Sequence, residues 1–347
     1  MPSPLPPPPQ PGLTWRPASV DDAAALAGLS SAVDAVEDLE DPLGPEGARY
    51  YLTFPGLDLA RDTLLGIDPE GAAVAFAWVW FQEAAGSARA VAWFEAHPEH
   101  CDLEEFLMRW VDARAADSLA GRASPGPARV RMHMEEHRTR RCRALEAAGY
   151  RHLRTFAEMH RSLTGGLPAP PPLPPGVVVL PWAPEWNEPT RQAANDAFSL
   201  HWDSLPLDAE QWKERVTGDS IFRPDLSFVA VHGSEVVSLC LAAVDPEHNE
   251  RAGLEEVWVE RLATRRGWHR RGLATALLAD CLQAAASAGM TRAGLTADEA
   301  SDTQAAALYE RLGFTATRRT RAYVKHLAGP GDRPTAGKGK PRPAALP

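Results

Sequence analysis

Residues 255–314 read EEVWVERLATRRGWHRRGLATALLADCLQAAASAGMTRAGLTADEASDTQAAALYERLGF, and the rest of the chain is arranged around them. Val257, Val259 and Leu262 alternate with polar or bulky neighbours, which predicts an extended strand. A basic turn follows, made of Arg265, Arg266, His269, Arg270 and Arg271 and closed by Gly272. Leu273, Leu277, Leu278, Cys281, Leu282 and Ala285 then recur at the spacing of one buried helical face, with Gly289 as its C-cap. A second strand is predicted over Ala293–Ala297 and a second helix over 303–312, ended by Gly313.

A strand that runs through a glycine-bearing turn straight into a helix leaves backbone N–H groups free at the positive end of the helix dipole. That is an anion site, best suited to phosphate. Gly272 lets a ligand approach the main chain, Ala274 keeps the first turn small, and Arg270 and Arg271 add charge.

These residues resemble the GCN5-related N-acetyltransferases. The acyl-CoA signature of that family, R/Q-x-x-G-x-G/A, is matched by His269-Arg270-Arg271-Gly272-Leu273-Ala274. Its second marker is matched by Ala305, Tyr309, Gly313 and Phe314. There are two departures: His269 replaces Arg or Gln, and Asp302 or Ser301 stands where an Asn often contacts the coenzyme. The resemblance implies acetyl-CoA as co-substrate and direct acetyl transfer to a primary amine of a small molecule. It also implies that the diphosphate lies on His269 to Thr275, and that the pantetheine pairs with the backbone of Leu262, Ala263 and Thr264 as a pseudo-strand.

The chain has 347 residues, more than one such domain needs. A net charge of −10 argues against nucleic acid as a partner, and no apolar run approaches the ~20 residues of a membrane span. Cys101, Cys142, Cys240 and Cys281 show no paired spacing, so free thiols in the cytoplasm are expected. The His97-to-Cys101 cluster lacks the spacing of a metal site, and no metal is expected. A monomer or homodimer is expected.

Residues 1–12 form a proline-rich leader and 164–176 a second proline-rich stretch, read as a stiff linker. They bracket a first domain over 13–163 and a second over 177–328, with a disordered tail over 329–347. Arg143–Tyr150 aligns with Ala307–Phe314, glycine on glycine, so one pattern is used twice. The first copy has Leu145 in place of Tyr309 and the acidic His97–Asp102 in place of the phosphate turn, so it reads as an acetyltransferase fold without coenzyme. The expected architecture is therefore α+β: two tandem acyl-CoA N-acyltransferase folds, each a mostly antiparallel sheet flanked by helices. In this it is similar to the mycothiol synthases.

Acetyl transfer needs a base for the amine and an acid for the leaving thiolate. The family often carries the base where this chain has Trp258, which shifts the role to Glu256 or Glu260, with Glu260 nearer the turn. Strict alternation places 256, 258, 260, 262 and 264 on one face. Tyr309 is the expected acid. No cysteine lies in the motif's strand or turn, which argues for direct transfer. His201 and Trp202 are candidates for the acceptor pocket. A coenzyme-binding sensor without turnover is the alternative. The acceptor itself is open, with the acidic balance favouring a cationic one.

Overall fold

The computed structural model describes residues 12–39, 42–84, 87–119, 129–199, 201–202, 204–301 and 305–327. The proline-rich leader up to 11, Asp302 and the tail lie outside the described residues. The first half runs β1 (Thr14–Arg16), α1 (Ala23–Glu37), α2 (Pro45–Leu52), α3 (Leu59–Asp62), β2 (Thr63–Ile67), β3 (Ala73–Ala84), β4 (Ser87–Ala96), α4 (Glu104–Leu119), β5 (Arg129–Glu135), α5 (Thr139–Ala147) and β6 (Arg151–Ser162). The second half runs β7 (Val177–Pro181), α6 (Asn187–Phe198), α7 (Ala209–Trp212), β8 (Phe228–His232), β9 (Glu235–Ala243), α8 (Pro246–Ala252), β10 (Glu256–Thr264), α9 (Leu273–Ser287), β11 (Arg292–Asp298), α10 (Ala305–Arg311) and β12 (Thr315–His326).

All twelve strands form one sheet, in the order β1-β2-β3-β4-β5-β12-β6-β11-β10-β9-β8-β7. The halves exchange their last strands. β6 closes the first half in sequence but pairs with β11, and β12 closes the second but pairs with β5. Each half thus completes its sheet with a strand of the other. This exchange is invisible to local pattern, because β6 and β12 both alternate like any strand.

Helices cover both faces of each half. On one face, α4 packs over β3, β4 and β5, and α9 with α10 packs over β9, β10 and β11. On the other, α1 and α2 cover the first half and α6 and α7 the second. The middle strands of this second face belong to no apolar cluster. Phe156, Glu158 and His160 of β6 line up there with Asp298, Thr296 and Gly294 of β11. The result is a polar trough between the helical layers of the two halves.

The proline-rich linker does not stand off as a spacer. Leu167 and Leu173 pack against the α9 core, the Pro168 carbonyl accepts from Gln283 Nε2 at 3.1 Å, and the Gly166 carbonyl accepts from Arg161 at 2.7 Å. The segment is a strap docked along α9.

Candidate active site

The basic turn and α9 have the predicted form. Gly272 is the N-cap at φ +81°, and Ala276 N–H is the first to return to its carbonyl, at 2.9 Å. The amides of Leu273, Ala274 and Thr275 therefore start the helix without an intrahelical acceptor. Arg270 is also left-handed, at φ +60°, a conformation that costs a non-glycine residue roughly 1–2 kcal/mol. Such strain is stored where the turn must aim its amides. His269 is exposed, and its Nε2 lies 2.9 Å from the Thr264 carbonyl. It braces the turn, a job that the Arg or Gln of the family pattern does not suggest. The Arg271 guanidinium lies 4.8 Å over the Trp268 ring, which fixes the charge beside the turn. Leu273 is core through its side chain and can offer a ligand only its backbone.

The strand before the turn departs from strict alternation. In the β9–β10 ladder Val259 pairs with Ala242 and Arg261 with Leu241, so Glu260 is the extra residue of a β-bulge. The single-face expectation for 256 to 264 is corrected accordingly. Leu262 joins Val257 and Val259 in the α9 core, whereas Ala263 joins Trp212 in the α6–α7 core and Arg261 lies 5.7 Å over the Trp212 ring. Glu256 and Trp258 precede the bulge and face the trough. On its other edge β10 pairs with β11 in parallel only from Glu256↔Arg292 to Val259↔Leu295, although both strands continue. The strands part there, and the edge of Leu262, Ala263 and Thr264 is left unpaired by β11.

The first half has the same parting. β4 and β5 pair only from Arg89↔Arg129 to Val91↔Arg131. The repeat extends to the helix cap: Tyr150 N–H bonds the Leu145 carbonyl at 3.0 Å, and Phe314 N–H bonds that of Tyr309 at 3.0 Å. Here, however, side chains crowd the end of the gap. Arg141, its side chain 2% exposed, meets Glu95, Glu104 at 3.0 Å and Glu37 at 3.2 Å. Arg138 meets Glu95 at 2.9 Å and Glu37 at 2.6 Å. By the glycine alignment Arg141 occupies the place of Ala305. Burial pushes the Glu95 carboxyl up, and the two guanidiniums draw it back.

Two carboxylates flank the bulge in the second half. Glu256, its side chain 6% exposed, has Arg292 Nε at 2.8 Å, His160 Nε2 at 3.4 Å and His248 Nε2 at 3.8 Å. Glu260 is open to solvent yet ringed by protein. That partial desolvation, opposed by Arg261 and aided by Asp219, holds its carboxyl above the ordinary range. The first half reaches this corner. Arg215, in the π-helical turn after α7, lies 5.5 Å over the Phe54 ring and 5.1 Å over that of Trp80. Burial raises the Tyr50 phenol, with Asp219 and Glu260 adding to it.

Tyr309 is buried on α10, its ring 6.1 Å from that of Phe314. Burial, then the neighbouring Cys240, raises its phenol. Cys240 stands opposite Leu262 in the ladder, so Tyr309 reaches the same stretch of β10 as the open edge. Trp202 lies 6.2 Å from Phe156 in the trough, and burial lowers His201 while Asp298 raises it. Both stand on the trough side. Sequence reasoning did not single out Glu158 and His160; their signal was the alternation of β6, which places Phe156, Glu158 and His160 on one face. Among the described residues no group of three or more His, Cys, Asp or Glu is arranged to hold a metal, and no helix is long and apolar enough to cross a membrane.

Residues 187–314 match the acetyltransferase (GNAT) family. A mycothiol acetyltransferase of Streptomyces scabiei is 34% identical over 162 residues, 46% of this chain and 50% of that protein, so the chain spans about half the length of the curated relative it matches. A GCN5-related N-acetyltransferase of Sphaerobacter thermophilus superposes with a TM-score of 0.73 at 25% identity, covering 91% of this chain and 96% of that one. A tandem GNAT protein from the clavulanic acid biosynthesis pathway superposes with a TM-score of 0.67 at 13% identity, covering 92% and 100%, which speaks for the fold. The second half thus matches the acetyltransferase (GNAT) family, and the chain along its length shares its fold with solved GNAT structures, a tandem one among them.

Proposed function

We propose that the chain is an acetyl-CoA-dependent N-acetyltransferase, moving the acetyl group directly to a primary amine of a small molecule. The observation that carries this reading is the parting of β10 from β11 directly upstream of the Gly272 turn. An extended amide chain fits the open edge of Leu262, Ala263 and Thr264, and a diphosphate fits the amides that start α9. Arg270 and Arg271 supply charge there. The first half, with Arg141 and its acidic partners crowding the corresponding gap, is proposed to carry no coenzyme.

The thioester carbonyl then lies near the bulge. The register shift at Glu260 takes backbone out of the ladder, and an N–H freed there suits the developing oxyanion. We assign the base to Glu256. Its carboxylate faces the trough, where the acceptor would enter, and three basic side chains stand within 4 Å of it. Burying a carboxylate in a sheet centre costs folding energy, so its presence there argues for use. Glu260 flanks the incoming amine. The ammonium gives one proton to Glu256, the nitrogen attacks the carbonyl, the C–S bond breaks and the thiolate takes the Tyr309 proton. The second proton of the amide nitrogen returns to the Tyr309 phenolate, while Glu256 releases its own to solvent. All four cysteines are free, which fits the reducing cytoplasm.

The test is titration with acetyl-CoA followed by thiol release with a panel of amines. Binding with thiol release supports the enzyme. Binding without release from any amine would leave a coenzyme-binding sensor, and no binding would remove both readings.

A further inference from the structure

We propose that His160, carried on β6 from the first half, is the positioning residue for Glu256, so that the acetyl-transfer site of the second half is incomplete without a strand of the first. The inference rests on the acyltransferase reading above.

The imidazole is held on every side. Its Nδ1 lies 2.8 Å from Thr317 Oγ1 of β12. Its Nε2 lies 2.8 Å from Glu158 of the same strand and 3.4 Å from Glu256 of β10. The edge of Trp258 meets the ring at a centroid distance of 5.8 Å. Gly294 of β11 makes the space: a Cβ there would stand 2.3 Å from a Trp258 ring carbon and 3.1 Å from His160 Cδ2. A side chain at 294 would expel one ring or the other, so the glycine is part of the device.

Three basic groups face Glu256, from three elements: His160 of β6, Arg292 of β11 and His248 of α8. Arg292 is one-third exposed, and His248 stands off at 3.8 Å. His160 is 7% exposed and is held between the Trp258 ring and Thr317 Oγ1. It is the most buried of the three and stands 3.4 Å from the same Glu256 oxygen that Arg292 meets at 2.8 Å, so it limits where that carboxylate can point. Glu158 meets the same Nε2 at 2.8 Å, and Thr317 holds the ring from its other side through Nδ1. A buried charged cluster gives little net stability against an apolar replacement of the same shape. Its position beneath the open trough, four residues before the bulge, gives it a use in placing the base.

The experiment uses the full chain, acetyl-CoA as donor, and glucosamine, spermidine and benzylamine as acceptors, read by thiol release. His160→Ala is expected to lower kcat about 10²-fold, the effect of a misplaced base, with acetyl-CoA affinity unchanged. His160→Gln keeps an N–H near the Nε2 position and is expected to restore part of the rate. The acidic limb of the kcat profile should move in His160→Ala and vanish in Glu256→Gln. A purely structural histidine would lower the melting temperature and leave kcat and the pH profile of the folded protein alone; that result overturns the proposal. Wild-type turnover in Glu256→Gln overturns the base assignment and the role of His160 with it. Wild-type protein that releases no thiol with any acceptor overturns the acyltransferase reading itself, and the proposal falls with it.

Discussion

Gly272→Ala separates backbone strain from ligand binding, because the fold supplies its own control. Gly272 sits at φ +81° and Gly289 at φ +91°, one at each end of α9. An L-residue in that region costs roughly 1–2 kcal/mol. A Cβ on Gly289 meets nothing within 4 Å, while one on Gly272 meets Pro171 Cγ of the strap at 3.4 Å, near van der Waals contact. Both alanine variants should therefore lose roughly 1–2 kcal/mol, a few degrees at most in Tm for a chain of this size. Only Gly272→Ala adds a methyl where a diphosphate would approach the α9 amides. The loss of one charge-assisted hydrogen bond is worth about 1.5–3 kcal/mol, or roughly 10- to 100-fold in Kd. Thermal melts and isothermal titration with acetyl-CoA read the two effects apart. If Gly272→Ala binds acetyl-CoA as tightly as Gly289→Ala, the anion does not lie on this turn and the coenzyme assignment fails.

Tyr309→Phe should lower kcat by about 10²-fold or more while acetyl-CoA binding persists, on the proposal that the phenol protonates the leaving group; unchanged turnover would remove Tyr309 from the mechanism. Burial raises that phenol, so it stays protonated through neutral pH and should add no basic limb near pH 8 to the rate profile. Arg141→Met strips the central cation from Glu37, Glu95 and Glu104 and should cost about 3–5 kcal/mol in urea unfolding. A loss near zero would mean the first half does not depend on that network. Asp22 is held down to about 2, first by its hydrogen bonds from Arg16 and against the opposing effect of burial. A depressed carboxylate stabilises fully above its unfolded value and loses that contribution as pH falls through the folded one. Stability should therefore drop by about 2 kcal/mol between pH 4 and pH 2, and Asp22→Asn should flatten the slope over that window.

The local pattern of residues 255–314 determined a good deal. Hydrophobic period located β10, α9 and β11, because a strand that alternates and a helix with one apolar stripe carry their geometry in the order of residues. The glycine that opens α9 and the Tyr309-to-Phe314 cap were legible for the same reason: φ > 0 demands glycine, and the demand is local. The repeat showed itself as matching caps at Gly149 and Gly313. Tertiary structure alone decided the rest. A bulge at Glu260 depends on how β9 pairs, so strict alternation misplaced the residues beyond it. The exchange of β6 and β12 depends on which edge each strand finds, and nothing within either strand records it. The docking of the linker on α9, the crowding of the first half's gap by Arg141, and the meeting of His160 with Glu256 join residues far apart in the chain, up to 115 positions in the case of Pro168 and Gln283. Contacts at that range are set by packing, and no window of sequence contains them.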